Sequence, residues 1–204
     1  MKGLANEIQL IIKRLLDILG SAFLLVVFSP VLLTIAIVIA ATSGFPVLYE
    51  WKVVGKGGKP FTGHKFRTMV TNADELKQQL MDHNEMTGPV FKIAQDPRIT
   101  PVGRFLRKYS LDELPQFWCV LKGDMSLVGP RPPLQSEFEK FTDWQKQKLS
   151  VKPGMTSLWQ VSGKPKDFAE WVKLDLEYID HWSLWLDTKI LFRTLFIVLG
   201  GENH

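Results

Sequence analysis

The sequence predicts an α+β chain, mostly helical, with an N-terminal re-entrant membrane helix hairpin broken at Ser29-Pro30, one small β-hairpin and interfacial amphipathic helices. Three observations lead there. Residues 18–41 carry no charged side chain, Ser29-Pro30 falls in the middle of that run, and a glycine-rich turn divides two β-prone stretches between residues 47 and 69. The 204 residues, 46% of them hydrophobic, can bury one sizeable core besides the membrane element. The predicted division is residues 1–44 in the membrane and 45–204 as a cytosolic domain ending in an interfacial helix.

The apolar run would gain about 5 to 9 kcal/mol on insertion, taking its Leu, Ile, Val and Phe at roughly −0.3 to −0.6 kcal/mol each. It is long for a signal peptide and no Ala-x-Ala site follows it. As a straight helix it would reach about 36 Å, enough to span. Pro30 opposes this, because it removes the hydrogen bond its amide would give Val26 and disfavours a straight helix. Ser29 can return a hydroxyl to the freed carbonyl. Lys13 and Arg14 precede the run and Lys52, Lys56 and Lys59 follow it, so both flanks prefer the cytoplasm. A hairpin satisfies both flanks, and a kinked span is the alternative. Asp17, one turn from Lys13 and Arg14, is expected to pair with them.

Downstream, residues 47–54 and 60–69 flank Gly55-Lys56-Gly57-Gly58-Lys59 and read as a β-hairpin. Its glycines lack the spacing of a phosphate loop. Residues 72–86 are helix-prone, with Asn72 as cap and Glu75 three residues on. Thr100-Pro101 opens a helix reaching Tyr109, and 113–121 forms another. Pro130, Pro132 and Pro133 fix an extended loop around Arg131. Residues 137–150 read as one amphipathic helix ended by Pro153-Gly154. The stretch 182–198, rich in Trp, Leu and Phe with Lys189 and Arg193, reads as a helix in the headgroup plane or as an ordinary core-facing helix.

The net charge of +4 and pI near 9.1 do not argue for nucleic acid, because 25 basic residues are scattered among 21 acidic ones. An anionic membrane surface accounts for the excess. The single cysteine, Cys119, excludes an internal disulfide framework and a Cys-based zinc site and fits a reducing compartment. The histidines show no ligand spacing, and no serine has a nucleophile-elbow context.

Chemistry concentrates at Ser110-Leu111-Asp112-Glu113-Leu114-Pro115-Gln116 and the segments behind it. Adjacent carboxylates cannot be equivalent: one attacks or binds metal while the other orients water, metal or a base. Hard oxygens without a His or Cys cluster favour Mg²⁺ over zinc, with Asp124 a further ligand or a loop-fixing residue. Arg98, Arg104, Arg107, Lys108, Lys122 and Arg131 in the same window can hold a diphosphate.

These residues resemble a known family. Lys13-Arg14-x-x-Asp17, Ser29-Pro30, Lys65-Phe66-Arg67-Thr68-Met69, Leu111-Asp112-Glu113-Leu114-Pro115-Gln116, the run from Lys122 to Pro132, Lys152-Pro153-Gly154-Met155-Thr156 and Trp159-Gln160-Val161-Ser162-Gly163 are similar, in register over nearly the whole chain, to the bacterial sugar transferases. These are the monotopic polyprenyl-phosphate phosphoglycosyl transferases. The resemblance implies transfer of a sugar 1-phosphate from a UDP-sugar to undecaprenyl phosphate, releasing UMP, at the cytoplasmic face of the bacterial inner membrane. It implies Asp112 as nucleophile and Mg²⁺ as cofactor. Glu113 would bind the metal or assist in orienting and deprotonating, and Arg107 and Arg131 would hold phosphates. Lys164 stands at a phosphate-contact position where arginine is usual, Cys119 where Asn is common and Ser157 where Gly is common. It further implies an initiating step of exopolysaccharide, capsule or O-antigen synthesis, with glucose or galactose favoured, a homodimer allowed and no large additional membrane domain at this length. The competing class is an inactive membrane-anchored adaptor that binds acidic lipids or partners.

Overall fold

The computed structural model describes residues 2–201, with the backbone alone for residues 2–6. It is mostly helical with a small amount of sheet. Helix α1 (Lys2–Val27) and helix α2 (Ser29–Ser43) meet at a 59° bend, and only Phe28 separates them. The bend has a local cause. Phe28 N donates to Leu24 O and Leu32 N to Phe28 O, both at 2.8 Å, so the ladder continues on either side of the position where Pro30 lacks an amide. The Ser29 hydroxyl takes up the orphaned Val26 carbonyl at 2.8 Å, as expected. Among the described residues no single helix is long and apolar enough to cross a membrane, but this bent pair has the length and composition when taken together.

Both arms return to the same body. On α1, Asp17 is buried and accepts from Leu127 N at 2.9 Å and Ser126 Oγ at 3.1 Å. Arg14 donates to the carbonyls of Val120 (2.7 Å) and Leu121 (2.9 Å), near the end of helix α5 (Phe117–Lys122). Lys13 donates to Val128 O at 3.0 Å and pairs with Asp187 at 2.5 Å. The expected pairing of Asp17 with Lys13 and Arg14 is therefore not formed. Orphan carbonyls at a helix C-terminus and a strand N–H are partners that a turn-to-turn pair cannot match. On α2, Ile35 and Ile39 pack with Phe66 and Leu106, while Arg67 donates to the carbonyls of Ser43 (2.5 Å), Gly44 (2.7 Å) and Phe45 (2.9 Å).

Strands β1 (Leu48–Val54) and β2 (Pro60–Phe66) form the predicted antiparallel hairpin, with Trp51 opposite Gly63 and Tyr49 opposite Lys65. A second, parallel pair joins β3 (Ser126–Val128) to β4 (Gly154–Thr156). Gly154 is required there, because a side chain on it would run into the Gly129 amide.

Three expectations need correction. Helix α3 (Ala73–Gln79) ends well short of residue 86, and Asn72 makes no capping bond. The segment 113–121 is a 3₁₀ turn over Leu111–Gln116 followed by α5, since Pro115 has no amide to give an α-helical ladder. The single helix expected over 137–150 is α6 (Gln135–Phe138), α7 (Asp143–Lys146) and a 3₁₀ turn, Gln147–Ser150. Thr142 and Gln145 cap each other reciprocally and restart the chain in a new direction. This lets Lys148 enter the interior and pair with Asp175 at 2.6 Å.

Between these lie α4 (Pro101–Lys108) and, after β4, α8 (Leu158–Val161), α9 (Phe168–Asp180) and α10 (Leu184–Gly200). An aromatic core of Met86, Phe141, Trp159, Phe168 and Trp171 is centred on the Trp159–Trp171 stack at 4.0 Å. Helix α10 buries one face, with Asp187 and Ile190, as a core-facing helix does, while Trp185, Phe192, Leu195, Phe196 and Leu199 on it are exposed.

Asp17→Ala leaves the Leu127 amide and Ser126 hydroxyl without an acceptor in a buried setting and should cost about 3 kcal/mol. Denaturant unfolding in detergent reads this against Asp143→Ala, whose fully exposed carboxylate should be neutral.

Candidate active site

The acidic pair is presented by a reversal of the chain. Thr100 caps α4 by accepting from Gly103 N at 2.9 Å, and Gly103 lies so close to the Thr68 backbone that a side chain would strike its carbonyl. This approach lets Arg107, on the last turn of α4, donate from Nε to Thr68 Oγ1 at 2.8 Å. Ser110 then adopts the left-handed conformation (φ 51°), and the 3₁₀ turn that follows turns Asp112 inward, leaving it 6% exposed. Glu113, one position on, is half-buried and meets Arg131 at 3.6 Å.

Arg131 sits on the predicted rigid frame. Pro130, Pro132 and Pro133 are buried around it. Pro130 O accepts from Gly154 N at 2.9 Å and Pro133 O from Val54 N at 3.0 Å, so the loop is tied to β4 on one side and to β1 on the other.

The electrostatics follow from burial and crowding. Burial, reinforced by the neighbouring Glu113, pushes the Asp112 carboxyl up to about 6 against the pull of Lys65 and Arg107. Burial pushes Lys65 down to about 8, with Arg107 and Arg131 adding to the fall and Asp112 and Glu113 opposing it. Its Nζ lies 4.9 Å from the centre of the Trp51 ring. Burial likewise lowers Arg107. Lys164, in a left-handed conformation at φ 52°, is pushed down to about 8 by burial and by Lys92 and Arg131, with Glu113 opposing. Two carboxylates thus sit among Lys65, Arg107, Arg131 and Lys164, a set with capacity for additional negative charge.

Of the residues singled out from sequence, the structure brings together Asp112, Glu113, Arg107, Arg131 and Lys164. It does not bring in Asp124, which pairs with Lys122 at 3.0 Å, nor Arg98, which is buried against Asp96 at 2.5 Å. Ser29 and Pro30 stand at the helix break. Lys65 and Thr68, which also stand beside the acidic pair and Arg107, were not singled out from sequence; the string Lys65-Phe66-Arg67-Thr68-Met69 holds both without a role. Among the described residues no three His, Cys, Asp or Glu side chains cluster as a metal cage. Two adjacent carboxylates, one held with a high affinity for protons, suit a hard cation that takes its remaining ligands from water and phosphate. A groove of about 370 Å³ between β1, α3 and α6, lined by Tyr49, Lys52, Asp74 and Lys77, contains none of these site residues.

Because its folded-state affinity for protons is raised, ionised Asp112 opposes folding at neutral pH, and the penalty fades as pH falls through about 6. Asp112→Asn should therefore raise stability at pH 7 by on the order of 2 kcal/mol. Thermal melts of the two proteins without divalent cation should converge by pH 4.

With that geometry in place, comparison with known proteins is informative. The sequence model of the bacterial sugar transferase family matches residues 8–201. The chain is 50% identical over 197 residues to the galactosyl transferase CpsE of Streptococcus agalactiae serotype III, covering 96% of this chain and 44% of that protein. It is 44% identical over 206 residues to the undecaprenyl-phosphate galactose phosphotransferase of Salmonella typhimurium, covering 98% and 43%. It is 40% identical over 200 residues to the UDP-glucose:undecaprenyl-phosphate glucose-1-phosphate transferase of Klebsiella pneumoniae, covering 94% and 41%. The chain spans less than half the length of these relatives. It belongs to the bacterial sugar transferase family.

Proposed function

We propose that this chain is a phosphoglycosyl transferase that moves a hexose 1-phosphate from a UDP-sugar to undecaprenyl phosphate and releases UMP. The observation that carries the reading is the buried Asp112 carboxylate facing Lys65 and Arg107, with Glu113 and Arg131 beside it. Asp112 attacks the sugar-side phosphorus and forms a covalent aspartyl-phosphosugar, and the lipid phosphate then displaces the aspartate. Two steps suit substrates that arrive from different phases. Arg107, Arg131 and Lys164 hold phosphate oxygens and offset the charge that develops. Glu113, with an oxygen of Asp112, would hold Mg²⁺, whose chemistry here is to neutralise the diphosphate. The names of the Salmonella and Klebsiella relatives support both substrate classes.

The bent helix pair is read as a re-entrant hairpin, with residues 1–44 as the membrane element, entering the bilayer beyond Asp17, and 45–204 as the catalytic domain on the cytoplasmic face of the inner membrane. Support comes from both arms docking on one body, through Asp17 on α1 and Ile35 and Ile39 on α2. From Asp17 to Phe28 the helix extends about 16 Å, close to the roughly 15 Å of half a hydrocarbon core. The exposed Trp185, Phe192 and Phe196 of α10 would lie in the headgroup plane. The pathway is the initiating step of an exopolysaccharide, capsule or O-antigen.

Purified full chain given UDP-galactose or UDP-glucose with undecaprenyl phosphate should release UMP only with Mg²⁺. Asp112→Asn should lower kcat by roughly 10³ or more; full turnover in that variant would remove Asp112 from the nucleophile role. Without the lipid, intact-mass analysis should find one hexose phosphate added to the wild type and none to Asp112→Asn. For topology, Asn6→Cys and Phe45→Cys in vesicles should both react with an impermeant thiol reagent from the cytoplasmic side, and reaction from opposite sides would reject the hairpin.

A further inference from the structure

Two loops meet beside Arg131, and together they carry cations to which the catalytic reading gives only a partial role. Residues 84–94 fold around Asn84, whose side-chain amide donates to Met86 O (3.1 Å) and Val90 O (2.9 Å), while its oxygen accepts from Met86 N (3.2 Å) and Lys92 N (2.9 Å). Residues 162–167 are held by Trp159: its indole Nε1 donates to Pro165 O at 3.1 Å and its carbonyl accepts from Lys164 N at 3.2 Å.

The loops are stitched to each other. Glu85 accepts from Ala94 N and pairs with Lys166, both at 2.6 Å, Thr87 N donates to Lys166 O at 3.2 Å, and Phe168 N donates to Thr87 Oγ1 at 2.8 Å. The seam leaves Lys92 and Lys164 half-buried and within electrostatic reach of one another and of Arg131. Burial and mutual repulsion lower both lysines, with Glu113 partly relieving Lys164 and Glu85 partly relieving Lys92. Three cations gathered at one seam complement the oxygens of a phosphate.

We propose that Lys92 completes, with Lys164 and Arg131, a second phosphate subsite that holds the nucleotide-side phosphate of the nucleoside diphosphate sugar and carries it away as the leaving group. This rests on the transfer reaction proposed above. Asp112 Oδ forms a bond to the sugar-side phosphorus. The bond from that phosphorus to the bridging oxygen breaks, and its electron pair leaves with UMP, whose phosphate passes from one negative charge to two. Cations at that phosphate are bound more tightly as the charge develops, so they lower the barrier as well as the substrate's dissociation. Arg131 lies between the two subsites, since it also meets Glu113.

The test reads UMP binding and turnover in the full detergent-solubilised chain. By calorimetry, Lys92→Met should weaken UMP about tenfold, the loss of one charge-assisted contact, and Lys92→Arg should restore it, with thermal melts showing both variants folded at the assay temperature. In turnover, Lys92→Met should lower kcat/KM for the UDP-sugar by tenfold or more, with the KM for undecaprenyl phosphate unchanged. Unchanged UMP affinity in Lys92→Met, or a raised KM for the lipid phosphate alone, would overturn the assignment. UMP binding needs no turnover, so a wild type that binds UMP in a Lys92-dependent way yet transfers no sugar phosphate would reject the reaction and keep the subsite.

Discussion

The structure depends on where the charges of α1 go. Lys13, Arg14 and Asp17 are directed into the body of the protein, onto Asp187, the carbonyls of Val120 and Leu121, and the amide of Leu127. Each partner is a backbone group or buried charge that would otherwise lack a complement, so the contacts are worth more than surface pairs of the same length. Tyr178 closes the arrangement, donating to Val128 O (3.1 Å) or Asp187 Oδ1 (2.8 Å). The apolar helix, the short strand β3 and the C-terminal helix are thereby locked into one register. Since β3 runs directly into Gly129-Pro130-Arg131, the same lock sets where the framed arginine stands.

From that frame the site inherits its character. The carboxylate at its centre is buried at a cost, and Lys65 and Lys164 are lowered by burial first and by neighbouring cations second. Opposite charges gathered in a buried setting interact more strongly than they would in water. Stability is given up locally and supplied elsewhere, in the stacked Trp159–Trp171 core and in the docking of α1.

Legibility in the sequence tracked the range of the physics involved. The Ser29-Pro30 break was readable because a missing amide and a nearby hydroxyl act within four residues. The extended loop around Arg131 was readable because Pro130, Pro132 and Pro133 impose it locally. Asp17 was misread because an intrahelical pair is the obvious local solution and the winning partner lies 110 residues away. The helix expected over 137–150 had the right apolar period, but the Thr142–Gln145 box divides it and Lys148 is drawn inward by Asp175. Lys65 and Lys92 are ordinary lysines until the Tyr49 strand and the Asn84 loop place them beside Arg131, and nothing in their immediate neighbours announces it.

Arg67 and Thr68 are adjacent and face different duties. Arg67 grips the three carbonyls that end α2, and Thr68 receives Arg107 from the site. One peptide unit therefore joins the second arm of the bent helix pair to Arg107. Displacing α2 from Arg67 would loosen the segment that holds Thr68 against Arg107, so the geometry around Asp112 is tied to the docking of the bent helix pair.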